Sequence, residues 1–201
     1  AAGGNMIDTS DVYSAWVPGN AGGESESIIG KWMKARRNRD QLIIATKVGV
    51  WGPLFGLAPA TIAAGINGSL ARLGTGHVDL FYAHADDPAT PLEETLRAFD
   101  QVVRAGKARY IAASNYGAAR LEAALAVSRA GSLARFVALQ TTYSLVDRLP
   151  YEAELQGLCV REGMGCLPYY ALASGFLTGK YQAGATVDSA RREMEIGRAH
   201  V

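Results

Sequence analysis

The sequence predicts an α/β fold of parallel strands joined by helices, on three observations. Short apolar, β-branched runs alternate with longer amphipathic segments. Each apolar run ends in polar residues, as expected of a strand buried on both faces whose tip meets solvent or a ligand. Prolines open two of the amphipathic segments, and glycines close several of them.

The strands are read at Asn5 to Asp8, Leu42 to Lys47, Val78 to His84, Ala108 to Ser114, Phe136 to Gln140 and Gly165 to Tyr170, giving about six strand-helix units. Ser25 to Arg37 places Ile28, Ile29, Trp32 and Met33 on one stripe. Pro59 to Leu73 carries Ile62, Ile66, Leu70 and Leu73 at helical spacing. Pro91 to Ala105 has Glu93 and Glu94 in its first turn, where acidic groups favour the positive helix end, and stops at Gly106. Arg120 to Arg129 and Tyr151 to Glu162 complete the helices, followed by Gly131 and Gly163. Gly52 to Gly56 reads as a surface loop.

With 201 residues, the chain is long enough for most of a TIM-type (β/α)8 barrel, which runs to about 250 residues. Residues 1–186 are read as one incomplete barrel. Residues 187–201 are charged, lack strand character, and are set apart as a tail of different origin. A hydrophobic fraction of 49% with 19% charge supports a substantial core and excludes a disordered chain. Net charge is +1, so no basic field points to nucleic acid or an anionic membrane. Cys159 and Cys166 match no metal or redox spacing and are read as reduced structural residues; no metal site is expected. No apolar run reaches the roughly 18 residues of a membrane span, and no export leader is visible. A cytoplasmic location is expected.

In a barrel of this kind reactive groups gather at the C-terminal ends of the strands. The first strand ends in Asp8, with Tyr13 in the loop after it; the second ends in Lys47 and the third in His84. Singly, these residues suit a turn cap, surface packing, a solvated charge and a structural imidazole. Together they propose a reaction. An ammonium beside a phenol favours phenolate, so Tyr beside Lys donates a proton near neutral pH. A carboxylate keeps the Lys charged, and an imidazole orients a substrate carbonyl.

The stretches that carry these residues, Gly4 to Tyr13, Glu24-Ser25-Glu26 with Ile29-Gly30, Ala45-Thr46-Lys47, Ser69 to Thr75 with Val78 to His84, Gly106 to Ile111 with Ser114-Asn115, and Leu172 to Tyr181, closely resemble the ordered blocks of the aldo-keto reductases. The resemblance spans about residues 3 to 183. It implies a catalytic tetrad of Asp8, Tyr13, Lys47 and His84, with Tyr13 the general acid, and hydride supplied by a reduced nicotinamide. It further implies that Ser114, Asn115 and Gln140 hold the nicotinamide carboxamide and that Tyr169 stacks on its ring. It also implies cofactor contacts at Tyr170 and Ala171, and it places Leu172, Ser174, Gly175, Leu177, Gly179 and Lys180 in a loop, Leu172 to Lys180, that passes over the pyrophosphate.

Ala171 stands where the family often has proline, and Ala113 where glycine is common. The first strand and the final units of the family's barrel are absent, and with them the residues that separate NADPH from NADH. NADPH is the expected cofactor, NADH the alternative, and a small carbonyl compound the expected substrate. A channel-associated regulatory subunit with the same fold, or an inactive fragment, is the competing expectation. Trp16, Trp51 and Phe55, in the loops after the first two strands, suggest an apolar substrate wall.

Overall fold

The computed structural model describes residues 3–180. Its element order is β1 (Met6–Asp8), α1 (Glu24–Arg36), β2 (Ile43–Val48), β3 (Val50–Trp51), β4 (Leu54–Phe55), α2 (Pro59–Leu73), β5 (Val78–Ala83), α3 (Leu92–Arg104), β6 (Ala108–Ser114), α4 (Ala118–Gly131), β7 (Phe136–Thr142), α5 (Gln156–Glu162) and β8 (Gly165–Tyr169). A π-helical turn, Tyr151–Leu155, leads into α5, and a 3₁₀ segment, Ala173–Thr178, follows β8. The six expected strands form one parallel sheet in the order β1-β2-β5-β6-β7-β8. Each strand joins its neighbour through a helix, which is the architecture of an incomplete (β/α) barrel. The tail read at 187–201 lies outside the described residues.

Strand alternation sorts the side chains into two layers. Ile44, Val48, Phe81, Ala83, Ile111, Ala113 and Leu139 face the helices and join Ile62, Ile66, Leu96, Phe99 and Leu121 in the main core. Ala45, Leu80, Tyr82, Ala112 and Ala138 form a separate cluster on the opposite, inner face. Lys47 pairs with Tyr82 in register, and Ser114 with Gln140, so these polar groups share the inner face at its C-terminal end.

Three local expectations need correction. Gly52 to Gly56 is not a plain loop: β3 and β4 pair antiparallel around the Gly52-Pro53 turn, and Gly56 N–H closes the hairpin on the Gly49 carbonyl at 2.9 Å. Left-handed backbone at Gly49 and Gly56 permits that closure. In α1 the inward face is Glu26, Gly30 and Met33, whereas Ile28 is 66% and Trp32 41% exposed. Glu26 is drawn inward by ion pairing with Arg72, and Gly30 lets α1 approach the backbone of α2. At the end of α4, Gly131 stays helical and Ser132 takes the left-handed position. Leu133 N–H bonds the Ser128 carbonyl at 2.9 Å, which fixes the reversal one residue later.

A methyl group at Gly30 would lie 2.5 Å from the Arg72 carbonyl oxygen and 2.7 Å from that of Leu73. Both obstacles are backbone. In the full-length protein Gly30→Ala is therefore expected to lower stability by about 1–3 kcal/mol, read from the urea midpoint. An unchanged midpoint would mean that α1 moves away from α2 at no cost.

Candidate active site

The C-terminal rim of the sheet brings the four sequence-predicted catalytic residues together. Asp8 ends β1, Lys47 is the penultimate residue of β2, and His84 follows β5, where its N–H bonds the Val48 carbonyl at 2.9 Å. Tyr13 lies in the turn after β1. The Lys47 side chain is fully buried. Its ammonium donates to Asp8 Oδ2 at 2.8 Å, to the Thr9 carbonyl at 2.9 Å and to the Tyr13 hydroxyl at 2.8 Å. Three donors thus meet three acceptors. Tyr82, the other phenol near Lys47, has no hydrogen-bond partner for its hydroxyl among the described residues, and burial raises its pKa. The Tyr13 and His84 rings sit 6.1 Å apart, edge to face.

Burial, and then the Lys47 charge, pushes the His84 imidazole down to about 4. It is neutral at pH 7. Its Nδ1 lies 3.1 Å from Ser10 Oγ, which in turn donates to Asp11 Oδ1 at 3.0 Å. Ser10 and Asp11 are fully buried, and Asp11 Oδ2 has no partner among the described residues. Burial pushes the Asp11 carboxyl up to about 6, against the bond from Ser10 and with help from the Glu26 charge. Behind Asp11, buried Glu26 accepts from Thr46 Oγ1 at 2.5 Å and from Arg72 Nε at 2.6 Å.

Ser10, Asp11, Glu26 and Arg72 escaped the strand-end rule, because they lie in a loop or on helices. The signal that could have found Ser10 and Asp11 was their place between Asp8 and Tyr13 in one block. The structure also seats Trp16 against the Tyr13 ring at 6.1 Å, 72% exposed, beside the site.

The residues expected to hold a cofactor follow the same rim. Ser114 and Gln140 are buried. Asn115 adopts φ 56°; its amide donates to the His84 carbonyl at 2.9 Å and to Ser114 Oγ at 3.1 Å, and accepts from the Tyr169 hydroxyl at 2.7 Å. This bonding ties β5, β6 and β8 at one level. Tyr169 and Tyr170 pack edge to face with centroids 5.0 Å apart. Beyond them the chain is left-handed at Tyr170, Ala173, Ser174, Gly175 and Gly179, a run of costly conformations for the residues that are not glycine. Ala171, Leu172, Leu177 and Lys180 lie in this same segment. A cavity of about 340 Å³ sits elsewhere, between the C-terminal ends of α1 and α2 at Met33, Arg37 and Leu73, and plays no part in the rim.

The model of the aldo/keto reductase family matches residues 1–197, and the chain belongs to that family. It is 37% identical over 186 residues to a Schizosaccharomyces pombe protein named for a voltage-gated potassium channel subunit beta, covering 90% of this chain and 52% of that protein. An Oryza sativa subsp. japonica protein with the same kind of name is 35% identical over 198 residues, covering 96% of this chain and 58% of its own length. The chain therefore spans little more than half of these relatives. Among solved structures, a thermostable aldo-keto reductase, Tm1743, in complex with the inhibitor epalrestat superposes with a TM-score of 0.72 at 30% identity, covering 96% of this chain and 62% of the other. No helix among the described residues is long and apolar enough to cross a membrane.

Asp11 yields a stability test. Its folded-state value near 6 lies above the ordinary 3.8, so the folded chain binds more protons in that window and loses stability as pH rises through it. His84 works in the opposite sense, its value lying below the ordinary 6.5, so that acid removes stability between about pH 6.5 and 4. Asp11→Asn removes only the first contribution. It is expected to stabilise the full-length protein by about 2 kcal/mol at pH 7 and by little at pH 4, measured by denaturant unfolding at both values. Equal effects at the two pH values would refute a buried charge at this position.

Proposed function

We propose that this chain carries the active site of a reductase that converts aldehydes or ketones to alcohols with NADPH as hydride donor, NADH being the alternative. The observation that carries this reading is the Lys47 ammonium held at 2.8 Å from both Asp8 and the Tyr13 hydroxyl. A proton leaving Tyr13 for a carbonyl oxygen leaves negative charge next to an ammonium that is already in place, so no reorganisation is needed. Asp8 balances that ammonium in the resting site. Neutral His84, fixed through Ser10, supplies a hydrogen bond that orients the carbonyl when its Nε2 carries the proton. Trp16, packed against the Tyr13 ring, would give the substrate an apolar wall, with Trp51 and Phe55 of the β3–β4 hairpin as its further candidates.

A reduced nicotinamide, when bound, supplies the hydride. The donor set fits it. The Ser114 hydroxyl and the Asn115 and Gln140 amides would hold a carboxamide, and the Tyr169 ring offers a flat apolar face. The residues from Leu172 to Lys180 would lie along the pyrophosphate. The free cysteines Cys159 and Cys166 suit a reducing compartment, and the cytoplasm is the location proposed.

A second reading, a channel-associated subunit that keeps this site, is favoured by the names of the fission-yeast and rice relatives. Turnover separates the two. In the full-length protein, Tyr13→Phe is expected to reduce aldehyde-dependent NADPH consumption by about 10²- to 10⁴-fold while quenching of tryptophan fluorescence by NADPH persists. Lys47→Met should do the same to the rate. Full rates in either variant would overturn the assigned roles, and a wild-type protein that binds NADPH but reduces no aldehyde in a broad panel would favour the subunit reading.

A further inference from the structure

Ser10 Oγ is the centre of a three-atom chain that reaches from His84 back to Asp11, which the proposed chemistry leaves unused. It lies 3.0 Å from Asp11 Oδ1 and 3.1 Å from His84 Nδ1, and accepts weakly from Val12 N–H at 3.4 Å. A hydroxyl has one proton and two acceptor positions, so the three bonds can be satisfied in two ways only. If Asp11 is ionised, Ser10 donates to Asp11 and must accept from His84, which places the imidazole proton on Nδ1 and leaves Nε2 bare. If Asp11 is protonated, it donates to Ser10, Ser10 donates to Nδ1, and the imidazole proton sits on Nε2.

We propose that Asp11 is a positioning residue that selects, through Ser10, which nitrogen of His84 carries the proton. This inference rests on the reductase reading, and it concerns which tautomer can serve a carbonyl. Only the Nε2–H tautomer offers a donor on the side away from Ser10. Switching to it takes up one proton: Nε2 gains it from solvent, Nδ1 passes its proton to Ser10, and the Ser10 proton moves to Asp11. Bonds formed and broken balance along the chain, and the imidazole is neutral at both ends of the exchange.

The surroundings hold Asp11 between opposing influences. Glu26 on α1 opposes its ionisation and Arg72 on α2 favours it, but Arg72 Nε is committed to Glu26 at 2.6 Å. From β2, the Lys47 carbonyl accepts the Asp11 N–H at 3.4 Å, while the Lys47 ammonium points to Asp8, Thr9 and Tyr13. His84 itself faces the Tyr13 ring, and its carbonyl accepts from Asn115 at the end of β6. Burial of Asp11 is the largest influence, and it keeps the carboxyl titrating near 6 while His84 stays neutral well below that.

The test uses ¹⁵N-histidine-labelled full-length protein, with the His84 resonances assigned through His84→Gln. Bare and protonated imidazole nitrogens differ widely in ¹⁵N shift, so the tautomer is read directly and without turnover. The wild type is expected to carry the proton on Nε2 at pH 5 and on Nδ1 at pH 8. Asp11→Asn, which cannot titrate, should hold a single tautomer at both pH values, and Ser10→Ala should abolish the pH-dependent switch. In kinetics, kcat/KM for carbonyl reduction in the wild type should fall about tenfold per pH unit above the switch, and this limb should vanish in Asp11→Asn. A wild-type His84 whose tautomer does not change between pH 5 and 8, or an Asn variant with the wild-type switch, overturns the proposal. If no carbonyl is reduced, the reductase reading fails and the tautomer measurement still decides the relay. If reduction occurs with identical pH profiles and tautomers in both proteins, the relay fails and the reductase reading stands.

Discussion

The fully buried ammonium of Lys47 is the constraint on which the rim is built. A charge removed from water is costly unless every donor is matched, and here each of the three finds an acceptor: a carboxylate, a backbone carbonyl and a phenol. Those acceptors all come from residues 8 to 13. Satisfying one lysine on β2 therefore fixes the end of β1, the path of the turn that follows it and the position of the Tyr13 hydroxyl. Tyr82, beside Lys47 on the inner face, gains no such bond. Two phenols of identical chemistry thus differ in which of them the ammonium reaches.

Directly behind this layer lies a second set of charges, placed by strand alternation. Lys47 points inward, so Thr46 must point outward, where it donates to Glu26 of α1. Glu26 also holds Arg72 of α2, and the close contact at Gly30 lets the two helices approach. The helix layer and the inner rim are thereby linked through adjacent residues of one strand. Asp11 sits between them. It receives the hydrogen bond from Ser10 on one side and the field of the Glu26–Arg72 pair on the other, which makes it the point where the helix layer meets the rim.

The far side of the rim is organised by neutral groups. Asn115 joins the His84 carbonyl, Ser114 and Tyr169 through one amide, and its left-handed backbone is the conformational cost of aiming that amide. Such strain persists only where surrounding bonds over-determine it. The Asp8–Lys47 ion pair and the titratable groups beside it thus meet a neutral arc from Ser114 to Tyr169, a division suited to proton transfer on one side and the proposed binding of a flat, uncharged ring on the other.

By itself the sequence determined the six parallel strands and the helices between them, because burial on both sides of a strand leaves a continuous apolar run that ends in polar residues. It also determined that Asp8, Lys47 and His84 stand at strand ends, with Tyr13 just beyond. Four things waited for the tertiary structure. The inward turn of Glu26 over Ile28 and Trp32 ran against the apolar stripe, because its partner Arg72 lies 46 residues away. The β3–β4 hairpin was too short for any period to show. The helix reversal at Ser132 depended on a bond from Leu133 rather than on the nearest glycine. The chain from Asp11 through Ser10 to His84 spans 74 residues between its last two members, and no local pattern encodes a hydrogen bond at that separation; it exists because parallel pairing brings the ends of β1, β2 and β5 side by side.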